Sequence, residues 1–305
     1  VRRTLARLVL RRLLWAPVTL LLVLLLAFAL MRGAGGSPFR LESGGLPYAL
    51  QVQLTSYYNL DEPWFVEFAT YVRNIATFDF GPSLTTRQSV DAVIEQAFPV
   101  TGLLVALAVA FAIPVGLALG LLAGLRPSTW LDWVASGVAA VILALPIFLV
   151  TNVALELDVA PRGWADWEDR IGAGIVLGIA PAGYVARLVR AAVVDAGRSD
   201  YVRTARAKGL RRPRIAVLHV LRNALTPFLH GAVPALALLL TGTFFVEQRF
   251  GIPGAGVWFV QAAKVRDYPM VLGLTVALAT VVIVVNLLAD LLSAALDPRL
   301  REGDR

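Results

Sequence analysis

AFPVTGLLVALAVAFAIPVGLALGLLAGL, residues Ala97–Leu125, runs for 29 residues without an Asp, Glu, Lys or Arg. As one α-helix it would extend about 43 Å, more than the ~30 Å hydrocarbon core of a bilayer. Five other windows are equally free of charge: Leu13–Met31, Trp133–Leu155, Ile171–Ala186, Asn223–Val246 and Tyr268–Ala289. All but Ile171–Ala186 reach the roughly 20 helical residues that a crossing requires. That shorter window spans if Arg187 and Arg190 lay their stems along the helix and put their heads at the interface. With 58% hydrophobic and 16% charged residues in 305, and a mean hydropathy of +0.71, the chain is an all-α polytopic membrane protein with about six transmembrane helices.

Charge gives the spans a direction. Six crossings leave both termini on one face, and with a cytoplasmic N-terminus the inner segments hold 19 of the 28 Lys and Arg but only 7 of the 21 acids. The positive-inside bias therefore predicts cytoplasmic N- and C-termini. The pI near 10.2 is then a topology signal and calls for no nucleic acid. Arg2, Arg3, Arg7, Arg11 and Arg12 before an apolar run closing on Ala27-Phe28-Ala29 also have the order of a secretory signal. The run exceeds an ordinary signal core, so the reading preferred here is a first span.

The pattern divides the chain into a cytoplasmic tail and first span (1–31), an extracytoplasmic segment (32–96), a main transmembrane region (97–296) and a cytoplasmic tail (297–305). Residues 190–225 or so form an inner loop and about 247–268 an outer one. The segment 32–96 gathers Tyr57, Tyr58, Trp64, Phe65, Phe68 and Tyr71, which reads as an outer cap with one or two short helices, Asp61 or Glu62 before Pro63 offering a helix start. Gly116, Gly120 and Gly124 make a ladder with a period of four, a surface on which another helix packs closely. Pro99, Pro114 and Pro146 fall inside spans, where neighbouring helices satisfy the freed carbonyls. Trp164, Trp167 and Trp258 sit where interfacial anchors would, Pro253-Gly254 marks a turn, and Asp267 is placed to cap the last helix.

Several chemistries are missing from the sequence. There is no G-x-x-x-x-G-K-[ST] phosphate loop, and GIPGAG lacks the spacing of a dinucleotide site. There is no cysteine, and the two histidines, His219 and His230, have no carboxylate pattern that suggests a metal site. The chain is expected to be no enzyme and to hold no metal.

The inner loop is ordered like a folded element. Ser199 or Asp200 can cap a helix running through Tyr201, Val202, Arg203, Thr204, Ala205, Arg206, Ala207 and Lys208 to Gly209 and Leu210. Gly209 suits the left-handed stop, and Arg212-Pro213 restarts a second helix. A loop that only supplied charge to anionic lipid would need no such sequence of cap, small face, stop and restart.

DYVRTARAKGL followed by HVLRNALTP resembles the cytoplasmic EAA loop of inner-membrane permeases of binding-protein-dependent ABC importers, in the form of the dipeptide/oligopeptide/nickel branch. RRLLWAPVTLLLVLLLAF, FDFGPSLTTRQSVDAVIEQAFPVT, VEQRFGIPGAG with RDYP, and NLLADLLSAALDPRLR are similar to other segments of that branch, so the resemblance covers nearly the whole chain. Arg203-Thr204-Ala205 stands where the general pattern has Glu-Ala-Ala, a form the peptide branch shares. RGAGGSPFR departs from the usual turn after the first span.

The resemblance implies a type I ABC importer permease fold and one half of a peptide pathway in a bacterial or archaeal-type cytoplasmic membrane. The implied partners are the bilayer, a second homologous permease (a heterodimer), two cytoplasmic ATPase subunits and an extracytoplasmic binding protein. ATP and Mg would be cofactors of the ATPases alone. Residues Asp200–Leu210 would dock in an ATPase groove. Glu247, Arg249, Phe250, Pro253 and Gly254 would serve an outer gate or a binding-protein contact, with an exposed Glu247–Arg249 ion pair as the plainer alternative. Asn286 and Asp290, one turn apart, are candidates for the pathway or a permease contact. Nickel chelates, sugars or another small solute are alternative cargoes, and a secondary transporter or lipid-binding scaffold is a rival class.

Overall fold

The computed structural model describes residues 2–33, 48–197, 199 and 239–296. These form α1 (Arg2–Gly33), α2 (Tyr48–Tyr58), α3 (Trp64–Ala76), α4 (Val90–Leu125), α5 (Trp130–Ala144), α6 (Ile147–Glu156), α7 (Trp167–Gly197), α8 (239–250), α9 (Ala255–Val265) and α10 (Tyr268–Leu296). Among the described residues there is no strand beyond one isolated antiparallel bridge, Pro82 with Ser89. The helices α1, α4, α7 and α10 are long and apolar enough to cross a membrane.

The third apolar window is not one straight span. It breaks into α5 and α6, which meet at 96°. Leu145 is extended, with φ −70° and ψ 122°, because Pro146 disfavours helical geometry in the residue before it, and α6 restarts just after the proline. Pro99 and Pro114, by contrast, lie within an unbroken α4. Counted together, the bent pair gives a fifth candidate crossing among the described residues. The window Asn223–Val246 lies mostly outside those residues, only its end falling in α8.

Two compact units can be separated, and each has its own core. The first holds residues 102–252 with the terminal segments 1–5 and 285–305. Its organising helix is α7, which α4 and α5 approach to backbone distance. A Cβ added to Gly116, Gly120 or Gly124 of α4 would stand 2.5, 2.6 or 2.7 Å from the Cβ of Val185, Val189 or Val193 of α7. Further along, glycines of α7 do the receiving: a Cβ on Gly174 would be 2.6 Å from Leu107 Cβ, and one on Gly178 2.6 Å from the Ala108 carbonyl. These contacts advance along both helices in the same sense, so α4 and α7 run parallel. On α5, Ala139 meets Gly183 while Asp132 meets Arg190, so α5 runs antiparallel to α7. Those directions are the ones that successive crossings of a membrane require.

The second unit holds residues 6–101 and 253–284. The described part of the segment 32–96 forms two short helices, and α3 starts after Pro63 rather than at a capping Asp61 or Glu62. One cluster packs Leu24 and Phe28 of α1, Leu54 and Tyr58 of α2, Tyr71 of α3 and Tyr268, Leu272 and Val276 of α10. Tyr58 and Tyr71 stack with ring centres 5.3 Å apart. A second cluster joins Val90, Val93 and Ala97 to Ala255, Ala262, Met270 and Leu274, with Trp258 against it rather than free as an anchor. Most of α1 instead exposes leucines, among them Leu14, Leu22, Leu26 and Leu30, as a lipid-facing helix would.

The glycine contacts yield a direct test. Gly120→Ala must displace Val189 and the Ala186 carbonyl and is expected to destabilise the chain by about 1–3 kcal/mol. Gly102→Ala, whose Cβ would meet nothing within 4 Å, should be neutral or slightly stabilising. Thermal unfolding of the detergent-solubilised protein, compared for the two variants, measures the difference.

Candidate functional site

The expected docking helix, Asp200–Leu210, lies outside the described residues. The element that leads to it is described. α7 ends at Gly197, and seven residues earlier Arg190 makes a two-point bond to Asp132 in the first turn of α5. Arg190 Nε donates to Asp132 Oδ1 at 2.6 Å and Nη2 to Oδ2 at 2.9 Å. The carboxylate also accepts from the Ser128 N–H at 2.9 Å and from the Ser136 hydroxyl at 3.0 Å. Asp132 is buried, and a hollow lined by Ser128, Trp133, Ser136 and Arg187 adjoins the pair. The Arg190 side chain stays 38% exposed while its head is held by the buried carboxylate of the neighbouring helix. The sequence hid this pair because Asp132 and Arg190 are 58 positions apart.

The outer candidates separate on inspection. Glu247 is fully buried in α8, whereas Arg249 is exposed, so the exposed ion pair between them is not formed. Residues two apart on a helix point to different sides. The Glu247 carbonyl accepts from Ile252 N–H at 2.9 Å, closing the helix end, and the buried Phe250 presents its carbonyl to Gly163 N–H at 2.8 Å. In the other unit, Pro253 is exposed and Gly254 is the residue before α9. Asn286 and Asp290 lie one turn apart on α10, both half-buried.

Asp267 does more than cap. It is 2% exposed, and its carboxylate accepts from Leu84 N–H at 3.1 Å, Thr85 N–H at 3.2 Å, the Ser83 hydroxyl, and Met270 N–H at 3.4 Å in the first turn of α10. Backbone donors and a helix N-terminus thus hold the buried carboxylate. Two motifs read separately in the sequence, GPSLTTRQS and RDYP, are one clasp. The loop is closed by Ser83 N–H to Gln88 O and Val90 N–H to Gly81 O, and Gly81, at φ +73°, takes the left-handed turn where Tyr58 leaves no room for a side chain. Nearby, the buried Glu67 accepts from Arg32. Burial pushes the Glu67 carboxyl above its ordinary value of 4.5, although Arg32 pulls the other way. Among the described residues no group of His, Cys, Asp and Glu is arranged to hold a metal.

Comparison with known proteins gives this architecture a family. Residues 116–302, beginning at the first glycine of the ladder, match the family described as "Binding-protein-dependent transport system inner membrane component". The chain belongs to this family of ABC importer permeases. It is 37% identical over 295 residues to the dipeptide transport system permease protein DppB of Bacillus subtilis, covering 94% of this chain and 96% of that one. It is 34% identical over 301 residues to the oligopeptide transport system permease protein OppB of Haemophilus influenzae, covering 95% and 98%. An inward-facing structure of the MetNI methionine ABC transporter superposes with a TM-score of 0.56 over 67% of this chain and 96% of its own, at 17% identity, which establishes a shared fold. The permease is thus an inner-membrane importer component with the helical fold expected of the type I class.

Two outcomes test the second unit of the permease. Asp267→Asn removes acceptor capacity from four donors and is expected to cost about 2–3 kcal/mol, read as faster limited proteolysis in the 82–89 loop. For Glu67, folding favours the protonated form, so that contribution is full below pH 4.5 and is lost as pH rises through the raised value. Unfolding midpoints should therefore fall with rising pH just above 4.5, and Glu67→Gln should flatten the trend.

Proposed function

We propose that this chain is one of two permease subunits of an ATP-driven importer of di- and oligopeptides. The observation that carries this is alignment over nearly the full length of relatives that are themselves named dipeptide and oligopeptide permeases. The second permease is a homologous, different chain. Two cytoplasmic ATPase subunits supply ATP and Mg chemistry, and an extracytoplasmic protein delivers the cargo. Both termini and the loop at about 190–225 face the cytoplasm, in keeping with the excess of Lys and Arg there, and residues 32–96 face outward.

In this reading Asp200–Leu210 docks in a groove of one ATPase, with Thr204, Ala205 and Ala207 as the small face. Arg203, Arg206 and Lys208 flank it. Closure of the ATPase dimer on ATP displaces that segment, and the permease pair rocks between inward- and outward-open states. The shift requires that the ATPase contact differ in energy between the states; equal affinity for both would move nothing. The peptide crosses without bond chemistry in this chain.

Ala205→Glu or Ala207→Glu places a long charged group in that groove. The variant should insert normally yet lose most co-purifying ATPase and most ATP-driven uptake of labelled trialanine into vesicles. Retention of both would overturn the docking assignment.

A further inference from the structure

The Asp132–Arg190 bond has no assigned part in transport, yet it lies where force would enter the permease. Arg190 is flanked on α7 by Val189 and Val193, which fill the places above Gly120 and Gly124 of α4. Around one turn, α7 is therefore held by α4 through packing and by α5 through the ion pair. α5 ends at Ala144, and after Leu145 and Pro146 α6 leaves at 96°. At that bend Leu143 and Ile147 share with Leu177 and Tyr184 of α7 and Phe245 of α8 an apolar cavity of about 260 Å³.

Energetics argue that the pair is kept for geometry. An ion pair between a buried carboxylate and a guanidinium that is 38% exposed contributes little net stability, because the desolvation of the one and the screening of the other offset the attraction. A guanidinium gripping both carboxylate oxygens does fix one register and one orientation. Ser128 and Ser136 orient the carboxylate further.

Resting on the importer reading above, we propose that Asp132 and Arg190 are positioning residues of the import cycle. Their two-point bond makes α5 follow α7, so that a displacement entering at Gly197 reaches the α5–α6 bend and the cavity beside it. Without the bond, α7 moves and α5 lags, and ATP is hydrolysed with less transport.

The test is a double-mutant cycle in the complete importer, reconstituted in proteoliposomes with its second permease, ATPases and binding protein. Asp132→Asn, Arg190→Gln and the double variant are compared by the ratio of labelled trialanine taken up to ATP hydrolysed. That ratio is independent of how much protein folds, so a purely structural defect leaves it unchanged. Each single variant is expected to lower it about 5- to 30-fold, with the double variant no worse than either single. Arg190→Lys, which keeps the charge and loses the fork, should fall between. Wild-type ratios in the single variants, or a double variant whose loss is the product of the single losses, would overturn the proposal. Should neither single variant insert, a wild-type ratio for Arg190→Lys would overturn it in the same way. A wild-type complex with no bound ATPase and no ATP-driven uptake would sink the importer reading itself, whatever the variants do.

Discussion

The close approach of α4 to α7 is the constraint on which the first unit depends. Within a bilayer there is little hydrophobic gain from bringing helices together, so packing and polar contacts must supply the association. Gly116, Gly120 and Gly124 remove the side chains that would hold the backbones apart, and Val185, Val189 and Val193 occupy the space. Gly174, Gly178 and Gly183 extend the same principle along α7 toward α4 and α5. A helix lined this way has few ways to shift relative to its neighbours. It is suited to carry a displacement without absorbing it.

The second unit solves a different problem, that of holding a loop and two short helices against α1 and α10. Its aromatic cluster joins α2 and α3 to α1 and α10, while the Asp267 carboxylate gathers the backbone of residues 83–85. Burying a carboxylate is costly unless it is fully bonded, and here backbone donors, a hydroxyl and a helix start meet that need. The result is a surface loop whose geometry is set by one residue 183 positions away from Leu84.

Much of this was legible in sequence because it follows from local rules. Charge-free windows marked the four long apolar helices, the period of four in Gly116, Gly120 and Gly124 announced a packing face, and Asp267 announced a helix start. What was not legible was pairing. Nothing in the ladder names Val185, Val189 and Val193 as its partners, and nothing in the sequence around Arg190 names Asp132 as its partner. Pro146 was read as tolerated within a span, as Pro99 and Pro114 are. The difference lies in whether the preceding residue can stay helical, which tertiary packing decides. Glu247 and Arg249 looked like a surface pair by proximity in sequence, although helical geometry turns them apart.

In the account proposed for this chain, α7, packed on α4 and tied to α5, carries motion from the segment after Gly197 into the transmembrane region. Cryo-electron microscopy of the assembled importer, without nucleotide and trapped with Mg-ATP and vanadate, tests it most directly. The account predicts that α4, α5 and α7 of this chain superpose as one body in both states, with the Asp132–Arg190 bond intact. Separation of α5 from α7, or loss of the glycine–valine register between the states, would contradict it.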